Sequence, residues 1–111
     1  MLIVTVIAGL LIAFNQNDVD AFNSRADAYR FKEQYNEAIS DHTKAILLDS
    51  DNVYAYYRRG DLYRRTSQWN LARADLNQVL QLDPDHEPAR ASLKAVESSS
   101  KFLSEGYKVF S

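Results

Sequence analysis

Two histidines, His42 and His86, are the residues of this chain best suited to exchange a proton near neutral pH. Catalysis would need each to have a partner, and the sequence offers no HExxH pair, no glycine-rich phosphate loop and no nucleophile motif. Cysteine is absent, which removes disulfides, thiolate nucleophiles and thiolate-ligated metals together. Carboxylates gather at Asp49 and Asp51 and again at Asp83 and Asp85. A calcium loop would add a glycine at its sharp turn and a closing bidentate glutamate, and that pattern is missing. His42 occupies a packing position and is expected as a half-buried ring. His86 follows Pro84 in a polar stretch and is expected to be solvated. The chain reads as non-enzymatic, with no cofactor and no metal.

A second chemistry is suggested by Arg58, Arg59, Arg64 and Arg65, interleaved with Tyr54, Tyr56, Tyr57 and Tyr63. Such cations neutralise phosphate while aromatic rings stack on bases. The formal net charge of −2 gives no global attraction for nucleic acid. Helical spacing divides the cluster between faces, with Tyr56, Arg59 and Tyr63 on one side. Asp20, Asp27 and Asp61 would repel phosphate. A solvated, salt-bridged face is the expectation, and no nucleic acid partner.

The elements that must position these side chains come in two copies, Val19–Asn52 and Val53–His86. Ala21 matches Ala55, Phe22 matches Tyr56, Tyr29 matches Tyr63, and Tyr35 matches Trp69. Ala38 matches Ala72, Ile46 matches Leu80, and Leu48-Asp49 matches Leu82-Asp83. Self-similarity at a fixed period of this size predicts helical hairpins that stack to bury their apolar faces. In the second copy Tyr56, Gly60 and Tyr63 share one helix face. Thr66-Ser67-Gln68 breaks the pattern, and Trp69, Ala72, Leu76, Val79 and Leu80 form a second face. Asp83-Pro84 ends that helix, because proline removes a donor and restricts the residue before it. Gly60 costs about 1 kcal/mol relative to alanine inside a helix, and is tolerable where two helices approach closely. Ala26 holds that place in the first copy. At 111 residues, a quarter of them charged, the chain is one domain with a modest core.

This layout resembles the tetratricopeptide repeat. The match in the second copy runs through Tyr56, Gly60, Tyr63, Trp69, Ala72, Leu76, Leu82 and Pro84. In the first it runs through Phe22, Ala26, Tyr29, Tyr35, Ala38, Ala45 and Leu48, with departures at His42 and Ser50. The resemblance implies an all-α, right-handed superhelical stack of antiparallel helix pairs, an α-solenoid. It implies too that the first helix of each pair lines a concave groove that holds a peptide or partner protein. By register the groove positions are Asp20, Asn23, Asp27 and Arg30, with Tyr54, Tyr57, Asp61 and Arg64. Exposed tyrosines beside arginine are residue types enriched at binding hot spots. Chaperone-binding members of the family grip a terminal carboxylate with lysine and asparagine. Here Asn23, Asp27 and Arg58 stand at those places, so a mixed-charge or internal segment is expected instead. Both copies also carry arginine where the family favours leucine. Arg25 and Arg59 sit at the same offset from Asp41 and Asp75, which predicts an ion pair within each repeat.

The two ends are less regular. Residues 1–18 contain the apolar run Met1–Phe14, which is short of the ~20 residues that span a bilayer. It lacks the basic start and cleavage site of a secretory signal. The register makes it the second helix of a preceding repeat, with Val4, Ala8, Leu11 and Ile12 buried on the first helix of Val19–Asn52. A signal or weak anchor is the alternative. The packed form suits a cytoplasmic protein, and the signal form a secreted or membrane-anchored one. Self-association through this apolar end is the second functional expectation, a structural role that oligomerises the chain or extends a longer array. Residues 87–111 read as a degenerate third repeat broken near Ser98-Ser99-Ser100, or else as one long capping helix.

Overall fold

Asp18, Asn52 and His86 stand one repeat apart, and each opens a helix in the same way. Asp18 Oδ1 accepts from the Ala21 amide at 3.2 Å, Asn52 Oδ1 from Ala55 at 2.9 Å, and His86 Nδ1 from Ala89 at 3.1 Å. A side-chain acceptor here satisfies one of the amides that have no partner in a helix's first turn. The helices that follow are α1 (Val19–Phe31), α3 (Val53–Arg65) and α5 (Glu87–Val109). Between them lie α2 (Tyr35–Leu48) and α4 (Trp69–Leu82). The computed structural model describes the backbone of residues 2–7, 10–15 and 17–109, and the side chains of residues 17–101.

The turns within the two hairpins are identical in kind. Gln34 N–H bonds the Tyr29 carbonyl at 2.9 Å and Glu33 N–H bonds Arg30 at 2.9 Å. One repeat on, Gln68 bonds Tyr63 at 2.8 Å and Ser67 bonds Arg64 at 3.1 Å. This is the Schellman arrangement, whose penultimate residue must be left-handed. Glu33 and Ser67 accordingly have φ of 59° and 60°, without being glycine.

Packing follows the expected faces. Ala26 and Ala38 meet Leu62 of α3, and Phe22 and Ala45 meet Ala55, so the second hairpin seats on the first. Ala72, Leu76 and Val79 of α4 then meet Ala89 and Val96 of α5. At Gly60 a Cβ atom would lie 3.1 Å from Leu76 Cγ and 3.2 Å from Asp75 Cβ. That is the close helix approach for which a glycine is needed. The expected ion pairs form in both repeats. Arg25 reaches Asp41 at 2.7 and 2.8 Å, and Arg59 reaches Asp75 at 2.7 and 2.8 Å.

The N-terminal end differs from expectation, and the C-terminal end takes one of its two expected forms. Leu2–Ile7 (β1) and Leu10–Asn15 (β2) form an antiparallel two-stranded sheet, with Leu2 opposite Asn15 and Ile7 opposite Leu10. No helix forms over these residues. A short apolar run has no periodicity that separates strand from helix, and the β-branched Ile3, Val4, Thr5, Val6 and Ile7 favour the strand. The packing expected of Val4, Ala8, Leu11 and Ile12 lies outside the described residues. At the other end α5 runs unbroken through Ser98-Ser99-Ser100, which is the long capping helix and not the broken third repeat. Serine is only mildly unfavourable inside a helix, and neither glycine nor proline reinforces the break. Among the described residues no helix is long and apolar enough to cross a membrane.

Candidate functional site

Helices α1 and α3 meet through the Asn23–Asn52 and Tyr54–Asp27 hydrogen bonds, and the eight expected groove positions fall along them with unequal roles. Asp20 is exposed in the first turn of α1, where a carboxylate complements the helix dipole. Tyr54 is 40% exposed at the start of α3. Arg30, Asp27 and Arg64 are half-buried. Asn23 and Asp61 are buried, at 7% and 6%, and their groups are engaged within the protein. Asp61 accepts from Arg64 at 2.8 and 3.1 Å and from Arg65 at 3.1 Å. Tyr57 is half-buried too, packed beside the α4–α5 core, with its ring 5.0 Å from that of His86. His86 is therefore a capping and stacking residue and not the solvated turn residue expected.

Three further residues contact this group. Arg58 places its guanidinium 5.3 Å from the Tyr54 ring centre and 5.5 Å from that of Tyr57, a cation–π arrangement. His42, on α2, is wholly buried, where a half-buried ring was expected. It lies edge-on to Tyr54 with centroids 6.2 Å apart. Asn52, the α3 cap, bonds the buried Asn23 across the joint between repeats at 3.2 Å.

The partners of these three fix where the protons sit. Asn52 Oδ1 must be the acceptor, because it takes the Ala55 amide proton. Asn23 therefore turns its Nδ2 toward Asn52 and its Oδ1 toward His42 Nδ1, 2.8 Å away. His42 must then carry its proton on Nδ1, and Nε2 is left as a lone pair. That lone pair faces Asp27 Oδ1 at 3.8 Å. Burial pushes the His42 pKa down to about 4, outweighing the attraction of Asp27. The ring is thus neutral at pH 7, and the contact is one between two acceptors and not an ion pair. From α3, the Tyr54 hydroxyl donates to Asp27 Oδ2. Burial, followed by that carboxylate, raises the hydroxyl's pKa, which keeps its proton in place.

Sequence reasoning passed over His42 and Asn52 as parts of this site. The available signal was a polar ring at an apolar repeat position, together with asparagines at a groove position and at a helix cap.

Comparison with known proteins follows this geometry. A family model described as TPR repeat matches residues 26–67, and one described as tetratricopeptide repeat matches residues 53–86. No curated protein sequence matches the chain. Among solved structures it is similar to the Arabidopsis OM64 TPR domain, with 31% identity and a TM-score of 0.73 over 76% of this chain and 69% of that one. It is similar to the second TPR domain of human RPAP3, solved in complex with the HSP70 peptide SGPTIEEVD, with 32% identity and a TM-score of 0.71 over 75% and 69%. It is also similar to the first TPR of Spaghetti (RPAP3), bound to the HSP90 peptide SRMEEVD, with 25% identity and a TM-score of 0.76 over 78% and 69%.

Proposed function

We propose that this chain, which belongs to the tetratricopeptide repeat family, holds an extended peptide of a partner protein in the groove lined by α1 and α3. Protein interaction is the work of the family, and solved neighbours hold peptides ending in Glu-Glu-Val-Asp. The observation that carries the reading here is the pairing of exposed Tyr54 with Arg58, an aromatic surface and a cation side by side on the groove face. Large amphipathic rings and guanidinium groups supply contact area at low entropic cost, which is why they dominate binding energy. The charges of the groove do not favour an acidic tail. By register Asp20 and Asp27 line it from α1, with Arg30, Arg58 and Arg64. A segment of mixed charge complements that alternation.

The test is peptide binding by fluorescence anisotropy, using a peptide selected on the intact chain from a random library. Replacing Tyr54→Ala and Arg64→Ala together should weaken it by at least about tenfold, with helicity unchanged by circular dichroism. Unchanged affinity would remove the groove from consideration. Leu47, 80% exposed beside Leu48 at the end of α2, favours the second reading in that case, self-association through an apolar end. Concentration-dependent dimers in sedimentation would then be the expected result.

A further inference from the structure

We propose that the floor of the groove is a subsite for a side-chain carboxamide, an asparagine or glutamine of the bound peptide, built on His42 Nε2 and Asp27 Oδ1; this rests on the groove reading above. Among the described residues, four buried polar side-chain atoms have no hydrogen-bond partner, and all belong to this one neighbourhood: Asp27 Oδ1, His42 Nε2, Arg30 Nε and Arg58 Nε. His42 is completely buried, and its unpartnered nitrogen is aimed at Asp27 Oδ1, 3.8 Å away. Arg30 Nε stands 3.9 Å from the same oxygen. Leaving buried polar groups without partners is costly, so the arrangement selects a ligand that answers it.

The hydrogen-bond inventory decides the class. Two facing acceptors require two hydrogens on one small head group, and flanking guanidinium donors require an acceptor next to them. A primary carboxamide has both, an NH2 with two donors and a carbonyl oxygen. A carboxylate brings no hydrogen, and it would meet the Asp27 charge and the imidazole lone pair. An ammonium brings hydrogens but adds a third positive charge beside Arg30 and Arg58, against the single Asp27, and offers nothing to either guanidinium. The rest of the protein holds the acceptors in this state. The chain of bonds from the Ala55 amide through Asn52 and Asn23 keeps the proton on Nδ1. Tyr54 occupies Asp27 Oδ2 and leaves Oδ1 unclaimed. Tyr54 is also the exposed member of the group, so it is the side chain that turns aside as the head group enters.

The experiment selects heptapeptides from a displayed random library on the intact chain. The best binder is then measured by anisotropy against its Gln→Glu or Asn→Asp counterpart, on wild type and on Asp27→Asn. The expected result is a consensus with asparagine or glutamine at one position. The acidic counterpart should be weaker by about tenfold or more, the cost of one unmade buried hydrogen bond and a repelled charge. Asp27→Asn supplies its own amide to His42, so the discrimination should fall to within about threefold. The peptide-side comparison needs no protein variant, so it stands whether or not Asp27→Asn folds. A consensus with lysine or a carboxylate at the anchor overturns the subsite, as does equal binding of amide and acid. If peptides bind and the Tyr54→Ala, Arg64→Ala pair weakens them without a carboxamide preference, the subsite alone fails. If no peptide is enriched, the groove reading fails with it.

Discussion

Arg59 grips Asp75 with two hydrogen bonds, from Nε at 2.7 Å and Nη2 at 2.8 Å, while its Nη1 donates to Thr43 at 3.1 Å. One guanidinium thus ties the second hairpin together and reaches back to the first. Hydrogen bonding to Asp75, partly offset by burial, raises the arginine's pKa above its usual value. The Asp75 side chain is only 7% exposed, so removing either partner strands a charge away from water. Asp75→Ala should cost about 3 kcal/mol or more. Replacing both residues, Arg59→Met with Asp75→Leu, should cost less than the single change. Urea denaturation of the two variants checks this, and a double variant no more stable than the single would sink the argument.

His42 makes stability depend on pH in a defined direction. Its pKa is about 4 in the folded chain, against an ordinary value of 6.5, so the unfolded chain takes up the proton first. The contribution is complete above pH 6.5 and is lost as the pH falls toward 4. Its full size is about 3 kcal/mol. His42→Phe, an apolar ring at an apolar repeat position, should flatten the slope across that window. An undiminished slope in the variant would assign the effect to other groups.

Glu33 and Ser67 hold left-handed backbone at the turns of the two hairpins. A side chain there is disfavoured by roughly 1 kcal/mol relative to glycine. Ser67→Gly and Glu33→Gly should each raise stability by up to about 1 kcal/mol, and the gains should add because the turns are separate. Thermal denaturation measures this. A loss of stability in both would mean that the unfolded chain's gain in freedom outweighs relief of the turn.

His86 caps α5 through Nδ1 and lies against Tyr57. His86→Ala should cost about 1 kcal/mol. His86→Asn restores the acceptor used by Asn52 one repeat earlier and should recover most of the cap. Hydrogen exchange at the Ala89 amide reports the bond directly, and equal protection in wild type and His86→Ala would dismiss it.

Much of the fold was legible because repeats read themselves twice. Tyr56, Gly60 and Tyr63 are ambiguous alone, but their alignment with Phe22, Ala26 and Tyr29 resolves them. The Arg25–Asp41 and Arg59–Asp75 pairs were visible for the same reason. The site was legible only in outline. The expected register grouped Tyr54 with Asp27, but it could not separate exposed Tyr54 from packed Tyr57, because that depends on where His86 falls after the chain turns. Asn23 looked like groove surface, and its burial is decided by His42 and Asn52, which lie on two other elements. The N-terminal end was missed and the C-terminal end left open between two forms, because periodicity is weakest there. Met1–Phe14 has no polar face to fix its period, and three serines are too mild a signal to break α5.

The two joints of this stack share apolar packing but differ in what is added to it, and this bears on how the molecule yields under load. Between the hairpins, Asn23 with Asn52, Asp27 with Tyr54, and Thr43 with Arg59 link α1 and α2 to α3. Hydrogen bonds have a narrow range of length and angle, so that joint is keyed and resists sliding. Between α4 and α5 the contact is Ala72, Leu76 and Val79 against Ala89 and Val96, apolar packing with no preferred direction. Pulled or twisted, the chain should shear first at α5, while α1 and α3 keep their spacing like the jaws of a fixed-gauge calliper.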